Sequence, residues 1–252
     1  MPLVPELSAA GALLVALIFV FGGTVKGATG FGLPLTTISL LPLVAPLDLA
    51  LALNTLVVPI TNAAQSVAYG PALSNIRICL PLVAGVAATV FLAAAAVASV
   101  GEEALRVAMG FLLIGFAALS FAAPRLRVSD RMAKPAGFAA GMAGGVAGAA
   151  FTAPGPIYAM WFAGLGLERR RFIGAMGVAM FASGLLVSGA FWASGILDGP
   201  RAAMSAACAL PAFLGMWIGE RLARRLDQET FRRIILLMLA GLGLRHLWIV
   251  LA

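Results

Sequence analysis

Between Ile78 and Val100 the chain carries no charged residue, and the stretch from Gly11 to Val25 is likewise uncharged. Ala104 to Ala123 and Ile234 to Ala252 are nearly as apolar. Runs of this kind approach the roughly 20 helical residues needed to cross a hydrocarbon core. Repeated along the chain, they leave 62% of the 252 residues hydrophobic and only 11% charged, too little polar surface to cover a water-soluble globule. The sequence therefore reads as an integral membrane protein. No run alternates with a two-residue period, so the spans are helices and not strands of a barrel. The opening "MPLVPELSAA" lacks a basic leader and carries Glu6, so the first helix is read as part of the fold rather than a cleaved signal. The net charge of +7 is no sign of nucleic acid, because the basic residues lie in short loops between spans.

Breakers divide the chain into ten hydrophobic segments, approximately 8–25, 31–45, 49–69, 76–99, 104–123, 135–151, 154–165, 171–195, 202–219 and 234–250. The second and seventh are short or interrupted by proline, and are expected to be broken or re-entrant. If every segment crosses, only Arg106, Arg201 and Arg245 of the 17 lysines and arginines fall on the even-numbered side. That side is outside and the basic side cytoplasmic, which places both termini outside. Cys79 and Cys208 lie apart in apolar segments and read as small buried hydrophobes. His246 is expected near the interface at the end of the last segment.

The two halves resemble each other. Gly27 and Gly30 of "KGATGFGLP" match Gly145 and Gly148 of "GGVAGAAFTAPGP", and after a small gap Pro34 matches Pro154. Pro81 and Gly85 match Pro211 and Gly215, while Glu103, Arg106 and Gly115 match Glu229, Arg232 and Gly241. Each match is weak, but their order is consistent. Five segments per half is an odd number, so the second copy would enter the membrane upside down. The expectation is an all-α polytopic protein of two inverted repeats, residues 1–123 and 135–252, joined by a basic cytoplasmic linker at 124–134. Such repeats with broken helices at equivalent places point to a binding site at mid-membrane.

The "GxxGFGxPL" pattern after the first helix, its partner "GGxxGxxFTAPGPxY" and the basic loop between halves resemble the sulfite exporter TauE/SafE family, also called the four-toluene sulfonate uptake permeases. The resemblance covers nearly the whole chain. It implies carriage of sulfur-containing anions such as sulfite, thiosulfate and organosulfonates across the bacterial or archaeal cytoplasmic membrane. The second motif departs from many relatives by placing alanines and a threonine where they have a denser glycine cluster.

Read without that resemblance, the same residues also suit an anion. Gly27, Gly30 and Gly32 can bare backbone N–H groups, and Pro34 cannot continue a helix. Where a helix restarts, its first amides carry partial positive charge. Gly148, Thr152, Gly155 and Tyr158 stand at the second break, and Thr29 and Thr36 add hydroxyls at the first. Glycines spaced by three or four can equally mark close helix packing. In the third segment Asn54, Thr55, Thr61, Asn62, Gln65 and Ser66 share one helical face, which lipid would penalise. Asn54, Asn62 and Gln65 are assigned to the solute path, with an interhelical hydrogen-bond seam as the competing reading. Lys26 either snorkels to the cytoplasmic surface or faces the anion. Asp48 and Glu168 are expected to cap the helices that follow them.

The chain is thus expected to carry small sulfur anions by alternating access, in export or facilitated passage, with no cofactor, no metal and no nucleic-acid partner. Export of a monoanion gains about 2.3 kcal/mol per 100 mV, so a coupling proton or sodium ion is needed only for uptake. The alternative is a membrane-embedded enzyme or enzyme partner acting on lipid or sulfur compounds. One histidine, two separated cysteines and no acidic cluster leave little for such chemistry.

Overall fold

The computed structural model describes residues 9–69, 72–122 and 127–223, with isolated positions between 237 and 248. Among them there are no strands, and nine α-helices follow in chain order. They are α1 (Ala9–Thr29), α2 (Leu33–Leu40), α3 (Leu47–Ala68), α4 (Ala72–Ser99), α5 (Glu102–Ala122), α6 (Asp130–Phe151), α7 (Gly155–Gly164), α8 (Arg169–Ala193) and α9 (Gly199–Ala223). A 3-10 turn, Leu41–Leu43, prolongs α2. These helices overlie the first nine expected segments. Most of the tenth lies outside the described residues, as do Glu6, His246, Arg125, Arg224, Arg225, Arg232 and Arg233. Among the described residues five helices are long and apolar enough to cross a membrane: α1, α3, the Asn75–Val97 part of α4, α8 and α9.

Glycine decides how these helices meet. A methyl group on Gly23 would sit 2.1 Å from the Ala212 carbonyl oxygen, and one on Gly27 would sit 2.1 Å from that of Met216. Successive glycines of α1 thus meet successive turns of α9, so the two run parallel with their backbones in contact. The α4–α6 pair is built alike: Gly141 lies against Leu82, and Gly145 against Val86 and Thr89. Among the described helices these are the two most extensive pairings, followed by α3 with α8. Along α3 and α8 the order reverses. Gly177 meets Ser66, Gly184 meets Pro59, and the Ser188 hydroxyl donates to the Thr55 carbonyl, so this central pair is antiparallel. Pro59 has no N–H to offer Thr55, and Ser188 supplies the missing donor from the neighbouring helix.

Both short helices turn the chain around. Gly22 of α1 meets Leu33 and Thr37 of α2, so α2 runs back along α1. In the same way Gly144 meets Tyr158 and Gly137 meets Trp161, so α7 returns along α6. The return is closed by Val128 N donating to Gly164 O at 2.8 Å and Trp161 Nε1 donating to Ala133 O at 3.2 Å. The basic stretch ahead of α6 therefore shares one end of the bundle with Arg169, Arg170 and Arg171, as the charge count requires. At the opposite end Arg201 pairs with Asp48 at 2.8 Å. Asp48 lies in the first turn of α3, where its charge suits the helix dipole. Glu168 is the N-cap residue of α8 but makes no side-chain cap bond, so its expected capping role is not realised by the carboxylate.

Two expectations need correction. Lys26 does not snorkel: it is 2% exposed, among the largest fully buried side chains, and belongs to the core rather than to a loop. The first break is also narrower than "KGATGFG" suggests, because α1 continues through Gly27 to Thr29.

Candidate functional site

At the first break the backbone turns left-handed twice, with φ of 86° at Gly30 and 99° at Gly32. A side chain would be strained at either. Between them Thr29 Oγ1 donates to Phe31 O at 2.6 Å, tying the loop to the end of α1. Pro34 then opens α2, whose first amides have no intrahelical acceptor. The second break has the same outline with different chemistry. Thr152 stands where the sequence match places Gly32, at φ 53°, the only left-handed non-glycine among the described residues. Prolines 154 and 156 flank Gly155 at the start of α7. The two breaks touch: the Phe31 ring lies 3.7 Å from where a Gly155 Cβ would stand.

Beside the second break is a cavity of about 10 Å³, lined by Thr55 and Val58 of α3, Thr152 and Pro154 of the break, and Ser183, Gly184 and Val187 of α8. That is room for about one water. Four residues beyond Val58, one turn of α3, Asn62 accepts a 2.5 Å hydrogen bond from Lys26 Nζ and donates Nδ2 to Val58 O. Beyond it, Gln65 Nε2 donates to both Gly30 O and Ile173 O at 2.9 Å, clasping the first break to the start of α8. The polar face of α3 thus leads from the cavity to the basic end, closed by the Lys26–Asn62 pair and then by the Gln65 clasp.

The other site residues read from the sequence distribute around this column. Asn54, the residue before Thr55 of the cavity wall, donates to Ala50 O and accepts from Thr37 Oγ1 at 2.5 Å. Thr36 Oγ1 and Tyr158 Oη are buried without a hydrogen-bond partner of good geometry, and Tyr158 lies across Gly144 close to Ser183. Gly148 faces Val187 and Pro154, next to the cavity wall. Gly27 is not brought to the column but spent on the α9 contact. Asn54, Asn62 and Gln65 all bond protein partners, so in this conformation they form the interhelical seam weighed against a solute path.

Three contributors were not legible as site residues. Ser183 had an apolar context, and its hydroxyl back-bonds to Ala179 O. Ser205 enters α3 from α9, donating to Leu53 O at 2.7 Å and accepting from Leu56 N at 2.8 Å. Asn75 of α4 is buried beside Gly174 of α8 with neither amide atom hydrogen-bonded. The register that aligns Pro81 with Pro211 aligns Asn75 with Ser205, a signal available in the sequence once that register is extended backward.

The Thr152 conformation carries a test. A left-handed β-branched residue costs about 1–2 kcal/mol, and such strain collects where a side chain is needed. Thr152→Gly should therefore melt at or above the wild-type temperature in detergent while anion flux into proteoliposomes falls. A variant that melts lower would refute the strain argument.

No curated protein and no solved structure gives a significant match to this chain. A family model does: that of the sulfite exporter TauE/SafE matches residues 15–246, nearly the whole length and both breaks. The multi-pass membrane protein built around this column therefore belongs to the sulfite exporter TauE/SafE family, a family of transporters.

Proposed function

We propose that this protein carries small sulfur-containing anions, sulfite, thiosulfate or organosulfonates, through a central site between two inverted five-segment repeats at 1–123 and 135–252. The observation that carries the reading is the composition of the cavity wall. It draws hydroxyls and apolar carbons from α3 in the first half and from the second break and α8 in the second half. Hydroxyls that turn from their present carbonyl acceptors, Leu51 for Thr55, Phe151 for Thr152 and Ala179 for Ser183, can hold an oxyanion without a fixed charge at every oxygen. The parallel α1–α9 and α4–α6 seams, which exchange under a swap of the two halves, support the inverted repeat.

A cavity of about 10 Å³ does not admit sulfite, so this is a closed conformation and loading requires rearrangement. The unequal engagement of Ser205 and Asn75 supports alternating exposure. Ser205 is bonded into α3, whereas its counterpart Asn75 waits unbonded against α8. Exchange of the two roles would open one side as the other closes. The basic end is taken as cytoplasmic, with both termini outside and the bacterial or archaeal cytoplasmic membrane as the setting. Under an inside-negative potential an anion then leaves without a coupled ion.

Thermal stabilisation of the detergent-purified protein by sulfite, thiosulfate and organosulfonates, with chloride as reference, tests the reading. At least one sulfur anion should raise the melting temperature at concentrations where chloride does not, and Asn62→Leu should weaken that response roughly tenfold. Equal responses to all anions would overturn the assignment.

A further inference from the structure

Among the described residues one charged side chain is buried in the core. Lys26 is 2% exposed and is the single charged residue in the buried polar set. Its Nζ donates to a neutral amide oxygen, Asn62 Oδ1, and makes no ion pair among the described residues. A buried ammonium facing only an amide lacks the counter-charge that usually accompanies burial. The next neighbours in the column offer none: Thr55, Thr152 and Ser183 present hydroxyls, and Val58, Pro154 and Val187 present carbon. Asn62 stands one turn of α3 above Val58 in the cavity wall, so among the described residues Lys26 is the charge nearest to a solute held there through its bond to Asn62.

Resting on the reading of that cavity as the solute site, we propose that Lys26 sets the charge of the cargo. The protein selects a solute with one negative charge and discriminates against dianions of similar shape. A monoanion such as hydrogensulfite or an alkylsulfonate brings the core to neutrality. A dianion such as sulfate leaves one negative charge unpaired among neutral groups, away from water, where it is costly. The same holds for thiosulfate, so the charge rule narrows the anions named above to hydrogensulfite and organosulfonates. Charge matching, rather than the geometry of the oxygens, then separates sulfonates from sulfate. Neutral donors alone would not produce that separation, because hydroxyls and amides serve both anions.

Three near-isosteric solutes test this: methanesulfonate with one charge, sulfate with two and methanesulfonamide with none. Titrated into the purified full-length protein, methanesulfonate should bind at least about tenfold more tightly than either of the others. Lys26→Gln should remove that advantage, so that methanesulfonamide binds as well as methanesulfonate, while Lys26→Arg should keep the monoanion preference. Wild-type protein that binds sulfate as tightly as methanesulfonate would overturn the charge rule while leaving sulfur-anion carriage standing, and this result needs no variant to fold. Retention of the monoanion preference in Lys26→Gln would overturn it too. Failure of every sulfur anion to bind wild-type protein would instead remove the underlying site.

Discussion

Gly27→Ala is expected to force α1 away from α9 and to destabilise the protein by about 3 kcal/mol. The added methyl would sit 2.1 Å from the Met216 carbonyl oxygen and 2.8 Å from its Cα and carbonyl carbon, all backbone atoms that no rotamer change can move. Gly141→Ala should do the same to the α4–α6 seam, where the Leu82 carbonyl oxygen would lie 1.9 Å away. Gly115→Ala is the control, because no described residue lies within 4 Å of its added carbon. In a helix interior that change should be neutral or stabilise by about 0.5–1 kcal/mol. Melting in detergent together with gel filtration reads all three. Should Gly27→Ala melt like wild type and lose only anion binding, Gly27 would be a ligand after all and the seam argument would fail.

Gln65→Leu combines a loss of stability with a change in access. Leucine fills a similar volume but donates nothing, so the Gly30 and Ile173 carbonyls lose the donor they share at 2.9 Å. The Ile173 carbonyl keeps its helical partner within α8, whereas the Gly30 carbonyl is left bare, which costs about 1–3 kcal/mol. Because the clasp joins the first break to the start of α8, its loss should also loosen the basic end of the column. A cysteine at position 173, in a background lacking Cys79 and Cys208, should then react several-fold faster with a membrane-impermeant maleimide. A stability loss with unchanged labelling would reduce Gln65 to a seam residue with no gating part.

Much of this arrangement could be read from residue order. Apolar runs place the helices because a membrane span must bury its own backbone polarity, and proline and glycine mark where that ladder stops. The polar face of α3 was visible for the same reason: Asn54, Asn62 and Gln65 recur at helical spacing in a segment too apolar to expose them. Glycine was ambiguous. The same residue type serves a left-handed turn at Gly30 and a backbone contact at Gly27, and only the partner across the seam distinguishes them. Lys26 was left between the surface and the solute site because its neighbours in sequence are a helix end and a loop, whereas its neighbours in space are α3 and the core.

Residue order alone is enough for an all-helical chain with membrane-length apolar helices, broken twice, its basic residues gathered between chosen pairs. Those properties are local, set by hydropathy, backbone donors and the handedness that glycine and proline permit. That Thr152 turns left-handed, which carbonyls Gln65 clasps, and that Lys26 meets an amide instead of water were decided only in three dimensions. Each depends on two segments distant in the chain arriving at one point, and no local propensity records such an encounter.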